Sequence, residues 1–278
     1  MAGIADVRGL WRRTLYRRGD DPPDCSAEVF WLQGPAFFAD IRQPMQRMSF
    51  AGVNCLRALG ADHLAWLAAQ QAFAGRLELE GTRAWWRRSI DLQPQSPFAD
   101  RARLEQSGDI LDEYGTEAYY TERWERENPP NPCWGLRLAR VRDGRDGFLI
   151  RAADRLIFAR ARTSPVPLRP GTLLGDALCT LPLESQQDLL DLEVSLGSVR
   201  AATPGQPQEW LIERSTLPYK QGRAWSLRLH ADAPADPAGV IELADLDPQG
   251  NCLTDSWRIV ETDAAGAPVS SSGGLGPT

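Results

Sequence analysis

The chain has 278 residues, a length that suits two domains of about 150 residues each. It is 42% hydrophobic and 24% charged, a globular composition that excludes wholesale disorder, and at this length folding needs no disulfide or metal staples. The net charge of −6 argues against nucleic acid or an anionic membrane as partner, since both require a basic face.

Residues 7–19, rich in Arg around Trp11 and Tyr16, read either as a short helix or as an arm packed across the fold. Pro22 and Pro23 end that segment. Val29 to Gln33 and Ala36 to Arg42 read as two strands joined at Gly34-Pro35, a hairpin. A helix is predicted over Asp62 to Gln71, with Asp62 as its cap and Leu64, Leu67 and Ala68 on one face. From Ala72 the period changes to two, with Phe73, Leu77 and Leu79 on one side and Arg76, Glu78 and Glu80 on the other. Short strands follow over Ala84 to Leu92, Arg101 to Gln106, Asp109 to Glu113 and Glu117 to Arg126. This spacing is that of an antiparallel barrel or sandwich.

Strand patterns resume at Trp134 to Val141, Phe148 to Arg151 and Arg155 to Arg162, and again from Leu192 to Glu261 after a short helix following Pro182. Pro165, Pro167 and Pro170 mark the best domain boundary. The expected organisation is an N-terminal β-barrel over 1–165, a C-terminal β domain over 166–262 and a disordered tail over 263–278. The fold class is mostly β, with antiparallel barrels and one or two short helices. Nothing alternates as βαβ, which excludes Rossmann and TIM architectures.

No phosphate-binding glycine loop, nucleophile elbow or zinc-protease motif occurs. His63 and His230 are the only histidines, and the five cysteines are scattered, so no metal and no cofactor is expected apart from an all-carboxylate site. The N-terminus lacks a signal-peptide pattern and no run of 18 apolar residues occurs, which points to a soluble cytoplasmic protein. Lys220 is the only lysine and sits in a turn-like Pro-Tyr-Lys-Gln-Gly, so amine catalysis is not expected.

Ten tryptophans, most of them beside charges, are the unusual feature. Alternation places Trp85, Arg87, Ser89 and Asp91 on one strand face and Trp86, Arg88 and Ile90 on the other. Further on, Tyr120, Glu122, Trp124 and Arg126 share a face. Such mixed faces read either as surface cross-strand pairs with tryptophans on arginine stems or as the lining of a cavity, because an inward charge must be paired. On the second reading Glu122, Asp91 and Asp109 are the candidate proton-transfer residues. Glu122 is preferred, since Tyr120 and Trp124 would desolvate it. Arg42, Trp86, Arg87, Glu113, Tyr120 and Trp124 are the candidate substrate-binding residues.

Val29-Phe-Trp-Leu-Gln33 with Ala39-Asp-Ile-Arg42, Phe73-Ala-Gly75, Trp86-Arg-Arg-Ser-Ile-Asp91 and Tyr120-Thr-Glu-Arg-Trp124 together resemble a two-domain lipocalin-like (calycin-like) family in fungi, over about residues 28–126. Glu193-Val-Ser-Leu-Gly197 and Trp210 to Pro218 would belong to the second barrel. The Gly-x-Trp opening of true lipocalins is read as absent, which argues against a simple single-barrel lipocalin. The resemblance implies antiparallel barrels with a cavity for a small apolar or aromatic molecule, and it carries over no catalytic residue. Three functions stay open. They are a cofactor-independent isomerase, hydratase or lyase acting on a small hydrophobic substrate, a non-catalytic binder of the same kind of molecule, and a protein-interaction module.

Overall fold

The structure, a computed structural model, describes residues 6–163, 168–200, 208–227 and 239–264. It is mostly β, as the period-two alternation predicts. The first eight strands are β1 (Gly9–Arg18), β2 (Ala27–Gln33), β3 (Phe37–Pro44), β4 (Gln71–Glu80), β5 (Arg83–Asp91), β6 (Arg101–Ser107), β7 (Ile110–Gly115) and β8 (Tyr120–Arg126). Each pairs antiparallel with the next, and β8 returns to β1, placing Trp11 opposite Arg126 and closing the barrel.

The second barrel uses β9 (Cys133–Arg140), β10 (Asp146–Ala152), β11 (Arg155–Arg160), β12 (Glu193–Arg200), β13 (Gln208–Ser215), β14 (Ala224–Leu227), β15 (Val240–Leu246) and β16 (Cys252–Ala264). Here β16 pairs back onto β9, and the ladder is continuous except between β14 and β15.

Several expectations are corrected. Residues 9–18 are a strand, because Trp11 and Arg13 alternate into the barrel while Leu10 faces the other way. The sheets change over between Arg126 and Cys133, so the boundary expected near 165 falls inside the second barrel. Pro170 lies in the connection between β11 and β12, which are neighbours in one sheet, and Pro165 and Pro167 lie outside the described residues. Positions 263 and 264 of the expected tail end β16, and residues 265–278 lie outside the described residues. The first helix, α1 (Ala61–Ala68), starts after Gly60, and His63 Nδ1 accepts the Gly60 N–H at 3.2 Å in place of a cap by Asp62. A Gly-x-Trp sequence does open β1, at Gly9-Leu10-Trp11.

The two barrels repeat one plan. Each inserts its helices between its third and fourth strands: α1 after β3, then α2 (Leu174–Leu178) and α3 (Leu183–Leu189) after β11. Each has a bulge between its fourth and fifth strands, at Ala74/Gly75 and at Leu196/Gly197. A Cβ on Gly75 would sit 1.9 Å from the Arg87 carbonyl oxygen, and one on Gly197 would sit 1.9 Å from that of Leu211. Glycine is needed there for close backbone approach. The first bulge also breaks the face assignment expected for β5. Trp86 and Arg88 point inward, Ile90 packs between the barrels, and Asp91 rejoins Arg88 on the inner side.

Three apolar clusters result. Trp11, Trp31, Phe38, Phe73, Trp86 and Trp124 fill the first barrel, with the Trp31 ring 5.9 Å from Trp86 and 5.6 Å from Trp124. Trp134, Phe158, Trp210 and Trp257 lie in the second. The largest cluster lies between the barrels, where Phe30, Leu32, Phe37 and Ile41 meet Ile150, Ile157, Val194 and Leu196 under α1 and α2. This shared core joins the barrels by burial of apolar surface.

Gly75→Ala and Gly197→Ala are each expected to cost about 2 kcal/mol or more by overpacking, lowering Tm by roughly 4 °C or more. Gly175→Ala in α2, whose Cβ would meet only the Ala68 methyl at 4.0 Å, should leave the melt unchanged or raise it. Equal calorimetric melts for all three would contradict the role given to the bulges.

Candidate functional site

Opposed strands of the first barrel bring a charged network into its interior. Arg13 on β1 donates to Glu122 Oε1 on β8 at 2.6 Å, and Arg42 on β3 reaches the same oxygen at 3.4 Å. Arg42 also holds Asp40, through Nε at 2.8 Å and Nη2 at 3.2 Å. Glu113 on β7 lies directly across from Glu122. It accepts from the Tyr120 hydroxyl at 2.6 Å and the Trp124 indole N–H at 3.0 Å, and makes no ion pair among the described residues.

The two glutamates therefore differ in kind. Burial, and after it the charge on Glu122, push the Glu113 carboxyl well above its ordinary value of 4.5. Burial, then Glu113, raises Tyr120 well above its usual range. Burial also raises Asp40, against the pull of Arg42. Glu113 is the carboxyl that burial pushes toward its neutral form, whereas Glu122 is held by two guanidinium groups. Glu122 is preferred on the sequence because Tyr120 and Trp124 would desolvate it; in the structure the carboxyl that those two side chains hold is that of Glu113. The strand pattern showed Tyr120 and Trp124 beside Glu122, but not Arg13 and Arg42 arriving from β1 and β3.

Arg42, Trp86, Glu113, Tyr120, Glu122 and Trp124 are brought together. Asp109 is not: its side chain is 79% exposed at the turn between β6 and β7, where it meets Arg126 on the rim at 3.1 Å. Arg87 points outward and pairs with Glu78 across the β4–β5 ladder at 3.1 Å. Asp91 stands at the barrel edge, with its Oδ2 3.1 Å from Arg88 Nη1. The space left among Trp31, Phe38, Phe73, Trp86, Arg42 and Glu113 is about 10 Å³, room for one water at most. Aromatic rings and paired arginines fill the cavity expected in this interior.

A larger space lies beside it. β5 and β6 pair only over Arg83–Trp85 and Arg101–Arg103, and the chain from 92 to 100 leaves the sheet there. The result is a groove of about 860 Å³ between the barrels, walled by Trp85, Phe98, Leu168 and Leu192, with Arg88 and Arg162 among its polar groups. Arg88 donates to Asp91 and, at 2.6 Å, to Asp100. Trp86 and Asp100 border both the groove and the barrel interior.

The second barrel holds a network that sequence reasoning missed. Lys220 is fully buried, its ammonium 2.5 Å from both Glu193 and Asp245. Arg160 meets Asp191 at 2.8 Å, and Ser195 donates to Glu193 at 2.7 Å. The available signal was Glu193 and Ser195 on the inward phase of a strand whose other phase is Val194 and Leu196. Lys220 lines neither the groove nor the smaller pocket of about 220 Å³ beside Arg160. Its two carboxylates make it a structural cation.

Among the described residues no group of three or more His, Cys, Asp or Glu is placed to hold a metal ion, and no helix is long and apolar enough to cross a membrane. Burial pushes the Cys133 thiol up to about 12, which leaves it unreactive. His230 lies outside the described residues.

No family model and no curated protein sequence matches the chain. In structure it is similar to the uncharacterized protein YLR301w from Saccharomyces cerevisiae, at 11% identity over 92% of this chain and 98% of that one, with a TM-score of 0.48. It is also similar to a protein of unknown function of the DUF3598 family from Nostoc punctiforme, at 8% identity over 93% and 96% of the two chains, with a TM-score of 0.23. At those values neither likeness carries an argument, and the fold stands on its strand pairings.

Two substitutions separate the glutamates. Glu122→Gln breaks a buried charge pair and is expected to cost about 3 kcal/mol or more. Glu113→Gln can still accept from Trp124 and donate to the Tyr120 oxygen, so it should cost within about 1 kcal/mol. Because the folded state raises the Glu113 pKa, its contribution is full below pH 4.5 and is lost as pH rises toward the folded value. The Tm of Glu113→Gln relative to the parent should therefore climb as pH increases above 4.5. A flat difference across that range would show that Glu113 titrates normally.

Proposed function

We propose that this chain is a binding protein for a small, largely apolar molecule, held in the groove between the barrels against β5. The observation that carries the reading is the contrast in space: about 860 Å³ in the groove and about 10 Å³ inside the first barrel. Small-molecule sites typically offer roughly 300–1,000 Å³ with apolar walls and a few convergent polar groups. Trp85, Phe98, Leu168 and Leu192 supply such walls.

Of the functions left open by the sequence, the non-catalytic binder is favoured over the cofactor-free enzyme. Both groove carboxylates, Asp91 and Asp100, are engaged by Arg88. Glu113, the carboxyl that burial raises, lies behind a filled core. Kinship with lipocalin-like proteins is part of the same reading, and the start of β1 supports it. Trp11, after Gly9 and Leu10, donates its indole N–H to the Val7 carbonyl at 2.7 Å. The Arg126 guanidinium lies 4.4 Å from the Trp11 ring centroid.

A thermal-shift screen of small aromatic and terpenoid compounds tests the proposal. Hits should weaken at least about tenfold in Ser96→Trp, which fills the groove from an exposed lining position. They should be unaffected by Ser26→Trp, at the mouth of the first barrel beside Arg13 and Arg42. The reverse pattern would move the ligand into the barrel.

A further inference from the structure

Among the described residues, the arginines that the structure buries wholly or in large part are, with one exception, matched by carboxylates. Arg13 has Glu122 at 2.6 Å, Arg42 has Asp40 at 2.8 Å, Arg140 has Asp255 at 3.0 Å and Arg160 has Asp191 at 2.8 Å. Arg162 departs from this pattern. It is only 8% exposed and makes no ion pair among the described residues. Its Nη2 donates to two backbone carbonyls, those of Asp91 at 3.2 Å and Leu92 at 2.5 Å, and its Nη1 has no hydrogen-bond partner. Burial lowers its pKa to about 10, opposed by the more distant charges of Asp91 and Asp191. A guanidinium in this state is desolvated with hydrogen bonds to neutral carbonyls but no paired carboxylate, which is costly unless an anion joins it.

Arg162 lines the groove, and the other cations there are engaged. Arg88 holds Asp91 and Asp100, and Arg87 holds Glu78. The unmet charge therefore sits at one point, next to the apolar surface of Leu168 and Leu192.

We propose that the groove's ligand is an organic monoanion, an apolar or aromatic body carrying one carboxylate, with that carboxylate paired to the guanidinium of Arg162 where it lines the groove. The inference rests on the groove being the ligand site, and it names the class of ligand. A carboxylate suits this position because charge-assisted hydrogen bonds to a guanidinium are stronger than neutral ones and grow stronger still where water is excluded. A neutral ligand of equal shape would leave the charge of Arg162 unmatched.

Titration calorimetry with 2-naphthoate and its neutral isostere 2-naphthamide tests this at concentrations up to about 1 mM. The expected result is binding of the carboxylate at least about tenfold tighter than the amide, with the preference falling to within about twofold in Arg162→Gln and largely kept in Arg162→Lys. Far-UV circular dichroism and melts confirm that the variants fold. If Arg162→Gln does not fold, Arg162→Lys and the parent still give the carboxylate-to-amide ratio. Equal affinity for the two compounds, or a preference that survives in Arg162→Gln, overturns the assignment to Arg162 and leaves the groove as a site for neutral molecules. Binding of neither compound overturns both the inference and the groove reading.

Discussion

The structure depends on the pairing of charges that its strands carry inward. An eight-stranded barrel is just wide enough for its own side chains, and the cost of burying an ion falls only when a counter-ion and hydrogen bonds accompany it. In the first barrel Glu122 gathers Arg13 and Arg42, and Arg42 gathers Asp40. In the second barrel Glu193 and Asp245 gather Lys220, while Asp191 takes Arg160. Each barrel thus carries, inside its wall of tryptophans, an ionic layer that occupies the volume a ligand would otherwise use.

Filling the barrels shifts the open space to where they meet. The core shared by β2, β3 and β10–β12 fixes the barrels against each other, and the short β5–β6 ladder opens the first barrel on its side. The bulge opposite Gly75 turns Arg88 and Asp91 together toward that opening. One glycine, placed where a carbonyl approaches too closely for any Cβ, thereby connects the backbone geometry of β4 to the chemistry of the groove. Its counterpart at Gly197 shows that the same device recurs in the second barrel.

Much of the fold could be read from the chain, because alternation reports directly which face of a strand is buried. The strands over Phe73–Leu79 and Trp134–Leu138 follow from that signal, as does the Tyr120–Arg126 part of the strand expected from Glu117, while the short helix after Pro182 follows from that proline and from Glu184 in its first turn. What alternation cannot report is which distant strand faces a given side chain. Alternation puts Tyr120, Glu122 and Trp124 on one face, yet it leaves open whether that face is inward, and the partners of Glu122 come from β1 and β3. Glu113, which has no guanidinium partner among the described residues, is instead the glutamate of the pair that burial raises. Asp91 was assigned to the wrong face because a bulge inserts one residue without any polar signature. Arg162 drew no attention for a related reason: its isolation is a property of the carboxylates that do not surround it.

Indole N–H resonances offer the most direct test of the claim that the first barrel is filled and that ligand sits between the barrels. In ¹⁵N–¹H spectra of tryptophan-labelled protein, titration with a bound small molecule should move the signals of Trp85 and Trp86, which border the groove. The signals of Trp31 and Trp124, packed against each other inside the barrel, should stay in place. Large shifts of Trp31 and Trp124 with Trp85 unmoved would place the ligand within the first barrel and contradict the account.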